Sequence, residues 1–229
     1  MSIGDAEIKT QERVIRFFKD PEILGYQYIG NLSDYQNKNI KEDRLRQYLR
    51  LKGYADKLID AAIMQLQQEA GNLSRGVYDA NKTVYSRLKY GIPVSESPEK
   101  PPVTVELIDE TNPLNNDFAI AEEVTVVEQQ EKRPDLVIYL NGIAVAVIEL
   151  KRSSISVSEG IRQNLTNQKD SFIRGFFTTM QFCMAGNESE GLRYGTLLTG
   201  EKFYMEWKDD GFKEHEEERD PVDVRISKT

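Results

Sequence analysis

Apolar positions along this chain change period part-way through, from helical spacing to strand alternation. Residues 5–19 repeat at helical spacing, with Ile8, Glu12 and Ile15 on one face and Val14, Phe17 and Phe18 widening its apolar side. Asp20-Pro21 ends that pattern. Gly25 to Ile29 reads as a short strand. From about 40 to 90 the helical period returns in Leu45, Leu49 and Lys52, then in Leu58-Ile59, Ala62-Ile63 and Leu66, with Gly53 and Gly71-Asn72 punctuating two helices. Three prolines between Ser95 and Pro102 mark a loop. Beyond it, Val103-Val105-Leu107, Phe118–Ile120 and Val124–Val126 alternate as strands do. Residues 135–139 and 143–151 form a hairpin about Asn141-Gly142, and the second strand is apolar on both faces, which places it centrally in a sheet. A helix over 158–172 and strands over 174–184, 192–198 and 203–207 complete the series. These elements predict an α/β (α+β) protein: a mixed sheet flanked by helices, with an N-terminal helical layer from the block at 40–90. One domain is expected over 1–207. Residues 208–229 are acidic and poor in apolar side chains, so they read as a charged tail or linker.

Composition narrows the chemistry. The chain has 229 residues, of which 39% are hydrophobic and 30% charged, as in a water-soluble domain. Its longest strongly apolar run, Ile143 to Ile148, is too short to cross a bilayer, and no apolar segment follows the N-terminus, so neither a membrane nor a secretory signal is expected. One cysteine, Cys183, cannot pair within the chain, which fits the cytoplasm. One histidine, His215, excludes paired-histidine catalysis and His/Cys zinc sites. Any metal must then be hard and oxygen-liganded, Mg²⁺ or Mn²⁺. The net charge of −8 opposes free-standing DNA binding, an objection that weakens inside a larger assembly. Gly195 to Lys202 approaches a phosphate loop, but Glu201 stands where that loop needs lysine, so ATP chemistry is not expected from this chain.

The chemistry concentrates on Asp135, Glu149 and Lys151. Glu149 and Lys151 are two apart on a strand and share a face. A two-residue turn at Asn141-Gly142 pairs Leu140 with Ile143, sets Asp135 opposite Ile148, and leaves the two acids on opposite faces. A three-residue connection with a left-handed Gly142 as a bulge restores them to one face, and Asn-Gly suits either turn. In the second register Asp135 and Glu149, with the main-chain carbonyl of Leu150, are able to hold a divalent cation against a phosphodiester, and Lys151 to orient or deprotonate the attacking water. Ionisable groups ending a strand buried on both faces need a reason to be there. Glu12, on the expected inward face of the first helix, is a further candidate acid. Downstream, Gln163 and Asn167 share a helical face and, with Lys169 and Arg152, suit contacts to a DNA backbone; Arg162 and Arg174 make the region locally basic.

The run from Arg133-Pro134-Asp135 through Asn141-Gly142 to Ile148-Glu149-Leu150-Lys151-Arg152 resembles the N-terminal nuclease domain of the restriction (R) subunit of type I restriction–modification enzymes. Gln11-Glu12-Arg13-Val14-Ile15, Asn116-Asp117-Phe118 and Arg193-Tyr194-Gly195-Thr196 extend the likeness over most of 5–207. The resemblance implies a PD-(D/E)xK fold that cuts double-stranded DNA with Mg²⁺, with Asp135, Glu149 and Lys151 catalytic and Glu12 supporting. It also implies methyltransferase and specificity subunits as partners, and ATP used only by motor domains that lie outside these residues. The family often places tyrosine four residues after the glutamine; here that position is Asn167. The rival readings are a repair or structure-specific nuclease with the same catalytic set, and a catalytically silent DNA-binding or docking module.

Overall fold

The computed structural model describes residues 3–208, with side chains from Ile8 onward; the tail expected from 208 lies, beyond Lys208, outside the described residues. Helix α1 (Ile3–Lys19) leads into strand β1 (Gln27–Asn31). Three helices follow where two were expected: α2 (Glu42–Leu51), α3 (Asp56–Gly71) and α4 (Val77–Tyr90). Strands β2 (Ile92–Val94) and β3 (Val103–Val105) pair across the proline loop, β2 being unforeseen. Then come β4 (Phe118–Glu122), the short pair β5 (Val126–Val127) and β6 (Glu131–Lys132), β7 (Leu136–Leu140) and β8 (Ile143–Leu150). Helix α5 (Val157–Asn167), β9 (Phe182–Asn187), β10 (Gly191–Gly195) and β11 (Met205–Glu206) finish the described chain.

Seven strands form a mixed sheet in the order β1-β4-β7-β8-β9-β10-β11, with β1–β4 and β8–β9 parallel and the other pairs antiparallel. Strand β8 is its middle strand, as its apolar faces required. One face, carrying Leu136, Ile148 and Leu150, packs on Val14, Phe17 and Phe18 of α1. The other, carrying Val137, Tyr139 and Val147, packs on Phe176 and Phe177. Helices α2 to α4 build a separate apolar layer around Leu45, Ile59, Ile63 and Leu66, joined to the sheet through Ile143. Among the described residues no helix is long and apolar enough to cross a membrane.

Expected elements over 158–172, 174–184, 192–198 and 203–207 also differ from those observed, the last because Glu201–Phe203 is a 3-10 helix and only Met205–Glu206 form a strand. Residues 174–179, read as the start of a strand, form a 3-10 helix, because the Glu128 carboxylate accepts the amides of Gly175 and Phe176 while Asn81 Nδ2 donates to the carbonyls of Thr178 and Met180. These side-chain partners satisfy the backbone without a neighbouring strand. Helix α5 stops at Asn167, whose carbonyl accepts from Ile173 N rather than continuing the helical ladder to 172. Strand β10 ends at Gly195, where Thr196 N donates to Thr199 Oγ1 and Leu198 takes a left-handed φ of 59°.

The Asn141-Gly142 tip of the β7–β8 hairpin is buried and fixes the helical layer to the sheet. Asn141 Nδ2 donates to Leu107 O and Asn116 Oδ1, each at 2.8 Å, and its Oδ1 accepts from Asp117 N at 2.7 Å. Gly142 O accepts from Lys41 N at the start of α2. A Cβ on Gly142 would lie 2.7 Å from Lys41 O and 2.8 Å from Leu45 N, so only glycine allows this approach.

Candidate active site

The hairpin settles the question of register in an unexpected place. Its turn has two residues, with φ of 51° at Asn141 and 83° at Gly142, and Leu140 pairs with Ile143. Positive φ at both centres matches a type I′ turn. The three-residue connection is therefore absent, and regular pairing from this turn would put Asp135 and Glu149 on opposite faces. Pairing is not regular: Tyr139 faces Ala144, but Ile138 faces Ala146, so Val145 is an extra residue in β8. Below this bulge Leu136 pairs with Ile148, and the same register sets Asp135 across from Glu149. The Val145 carbonyl accepts from Gln181 N at 2.7 Å, which ties the bulge to the start of β9.

At the end of the hairpin the three candidate residues meet. Asp135 Oδ2 accepts from Leu150 N at 2.7 Å, crossing from the start of β7 to the end of β8. Lys151 Nζ donates to the Leu150 carbonyl at 3.0 Å, while Lys151 N continues the ladder to Gly186 O. Glu149 is fully buried, and neither carboxylate oxygen has a hydrogen-bond partner of sound geometry. Burial, and then the neighbouring Asp135 charge, push its carboxyl well above the ordinary range, with Lys151 opposing. Helix α5 seals this position: its Ser156 cap accepts from Ser158 N, and a Cβ at Gly160 would come within 3.0 Å of Ala185 Cβ and 3.4 Å of Glu149 O. A buried acid beside a second acid and a carbonyl is a donor set suited to a hard cation. Among the described residues no three acidic, histidine or cysteine side chains group closely enough to hold a metal by themselves. A cation at this place would draw on Asp135, Glu149 and the Leu150 carbonyl, the remaining positions falling to water and substrate oxygens.

Asp135 also lines an open cavity of about 680 Å³ with Gln11, Glu12, Glu122, Glu123 and Arg133. Glu12 reaches this cavity from the exposed side of α1 rather than from the inward face expected of it. The buried stripe of α1 runs through Gln11, Val14, Ile15 and Phe18, and Ile8 is 56% exposed, so Glu12 falls on the far side from Val14. Gln11 and the pair Glu122-Glu123 carried no expectation. Gln11 Nε2 donates to Glu122 Oε2 at 2.9 Å and to Glu123 Oε1 at 3.2 Å. Two adjacent acids ending a strand were visible in the sequence, but their convergence was not: it depends on a left-handed φ of 52° at Glu123.

The family model described as the N terminus of the type I restriction enzyme R protein matches residues 7–203. The chain belongs to that family. Over 97 residues it is 33% identical to the putative type I restriction enzyme MjaIXP endonuclease subunit of Methanocaldococcus jannaschii, covering 39% of this chain and 9% of that protein. Over 112 residues it is 29% identical to the type I restriction enzyme SsaAORF53P endonuclease subunit of Staphylococcus saprophyticus, covering 47% of this chain and 12% of that protein. The aligned parts are thus about a tenth of these relatives' length.

In this member of the type I R-protein family the downstream amides are largely structural. Asn167 is 2% exposed, so its side chain does not reach the surface, while Gln163, one turn earlier, is half-buried. Asn164 Nδ2 donates to Met184 O at 2.8 Å, and Gln168 Oε1 accepts from Leu198 N at 2.7 Å, fastening α5 to β9 and to the turn after β10. Lys169 is exposed and Arg152 half-buried. The basic character expected here is partly cancelled: Arg162 pairs with Glu201 and Glu159, each at 2.8 Å, and Arg174 with Asp170 at 2.5 Å.

Proposed function

We propose that this chain is the Mg²⁺-dependent nuclease module of a type I restriction enzyme, with a PD-(D/E)xK site that hydrolyses phosphodiester bonds of double-stranded DNA. The observation that carries this reading is the bulge at Val145, which brings Asp135 to the side of β8 occupied by the fully buried Glu149. Asp135 and Glu149, with the Leu150 carbonyl, would hold Mg²⁺ or Mn²⁺, and Glu12 would support them from α1. A cation held there would supply Lewis-acid polarisation of the scissile phosphate and a lowered pKa for the attacking water. Lys151 exchanges its contact with the Leu150 carbonyl for the attacking water or a phosphate oxygen, which it orients and whose developing charge it offsets. The dry environment that α5 creates around Glu149 strengthens each of these charge interactions. Arg152, Lys169 and Gln163 meet the DNA backbone beside the site; Asn167 takes no direct part while it stays buried. ATP is used by motor domains elsewhere in the subunit, a specificity subunit reads the recognition sequence, and a methyltransferase subunit modifies it.

The test is substitution in the complete restriction subunit. Asp135→Ala, Glu149→Ala and Lys151→Ala should each lower DNA cleavage by at least ~10²-fold. ATP hydrolysis and translocation should remain near wild type. A folded Lys151→Ala subunit that cuts at the normal rate would remove the nuclease assignment.

A further inference from the structure

The cavity beside Asp135 is lined by Glu12, Glu122, Glu123 and Asp135, a wall of carboxylates that repels a polyanion. Among the described residues lining it, Arg133 is the only cation. Its Nε lies 2.7 Å from Glu123 Oε2, and its side chain is 57% exposed. The contact depends on a backbone feature that ordinary strand geometry would not produce. Successive strand residues point to opposite faces, yet Glu122 and Glu123 both line the cavity. The left-handed φ at Glu123, costly for a residue with a side chain, turns the second acid inward. The surroundings hold that conformation in place. Glu123 N donates to Asp135 O at 2.8 Å, Val124 N donates to Pro134 O at 3.1 Å, and Gln11 reaches from α1 to the Glu123 carboxylate. The strained acid is therefore bolted to the segment that carries both Arg133 and Asp135.

We infer that Arg133, aimed by Glu123, is a phosphate-binding residue that receives a DNA backbone phosphate next to the one attacked at Asp135 and Glu149. This rests on the nuclease reading and adds a residue and a ligand chemistry to it. Arginine presents a planar fork suited to two oxygens of one phosphate. Glu123 acts as a positioning residue: it keeps the guanidinium at the cavity and competes with phosphate for it. Arg133 is more than half exposed and its ion pair is with Glu123 at the cavity rather than with the core, so its place at the mouth of an acidic cavity is accounted for by a ligand rather than by packing.

The experiment measures binding of a short fluorescent duplex by the 229-residue chain across a range of salt, with Ca²⁺ in place of Mg²⁺. Arg133→Gln should weaken binding about tenfold and lower the slope of log affinity against log salt by about one. Glu123→Gln should tighten binding severalfold, because it releases the guanidinium and removes a repelling charge. Arg133→Lys, which keeps the charge and loses the fork, should keep the slope with only part of the affinity; it decides the matter if Arg133→Gln fails to fold. An unchanged affinity and slope in Arg133→Gln overturns the inference, as does Glu123→Gln weakening binding as much as Arg133→Gln, or a wild-type chain with no salt-dependent binding. The nuclease reading fails separately: cleavage by the complete subunit that survives Asp135→Ala removes it, whereas cleavage lost in Asp135→Ala with Arg133→Gln indistinguishable from wild type removes only the phosphate site.

Discussion

Glu149 is a fully buried carboxylate set beside a second acid at the end of the middle strand. Burial and Asp135 raise its pKa, so it holds its proton more tightly folded than unfolded. Its contribution to stability is complete below the ordinary carboxylate range, about pH 4.3, and is lost as pH rises through the raised folded value. Glu149→Gln cannot titrate. At neutral pH, without divalent metal, it should be more stable than wild type by roughly 1–3 kcal/mol, and melting curves should converge on acidification towards about pH 4. A wild-type chain as stable as Glu149→Gln at every pH would mean that the carboxylate finds a partner in solution. Asp135, Glu149 and Lys151 were legible as residues because charge at the end of an apolar strand is conspicuous. Glu123 was not, since its role depends on a dihedral angle that no residue type announces. Asn167 was misleading for the opposite reason: an amide on a polar helix looks solvated until the helix is seen to press that side against the sheet.

The element that decides the site is the bulge in β8. Parity alone showed that a single extra residue was needed between Asp135 and Glu149, and Asn-Gly offered an obvious place for it. The chain keeps the tight turn and spends the residue at Val145, whose carbonyl is claimed by Gln181. The need was readable in the sequence and the location was not, because β8 is apolar on both faces and its side chains tolerate either phase. Deleting Val145 should therefore return the hairpin to regular pairing and carry Asp135 to the other face. Cleavage by the complete subunit should fall to the level of Asp135→Ala. Val145→Ala, which keeps the residue count, should cost about 1 kcal/mol and leave cleavage near wild type. Equal activity in the deletion and in Val145→Ala would show that register does not place the acids. The central strands and the N-terminal helices were legible from periodicity. The segment 174–179 was not, because its backbone is satisfied by Glu128 and Asn81, which are distant in sequence.

At the scale of the whole molecule, charge and chemistry are separated. The net charge of −8 gives a DNA duplex little reason to approach, and several surface cations, Arg44, Arg46 and Arg162 among them, are already paired with carboxylates. The chain alone should accordingly nick plasmid DNA at least ~10²-fold more slowly than the complete assembly, and more slowly still as salt rises. Rapid cutting by the isolated chain would mean that delivery of the DNA is not limiting. The buried Asn141-Gly142 tip bears on inheritance. Its side chain and its missing Cβ serve the joint between helical layer and sheet, at the opposite end of the hairpin from Asp135 and Glu149. Selection for a folded domain would hold that dipeptide in place even in a lineage whose carboxylates had decayed. A descendant that had stopped cutting DNA would keep this hinge of the architecture, and kinship read from it would certify ancestry while saying nothing of trade.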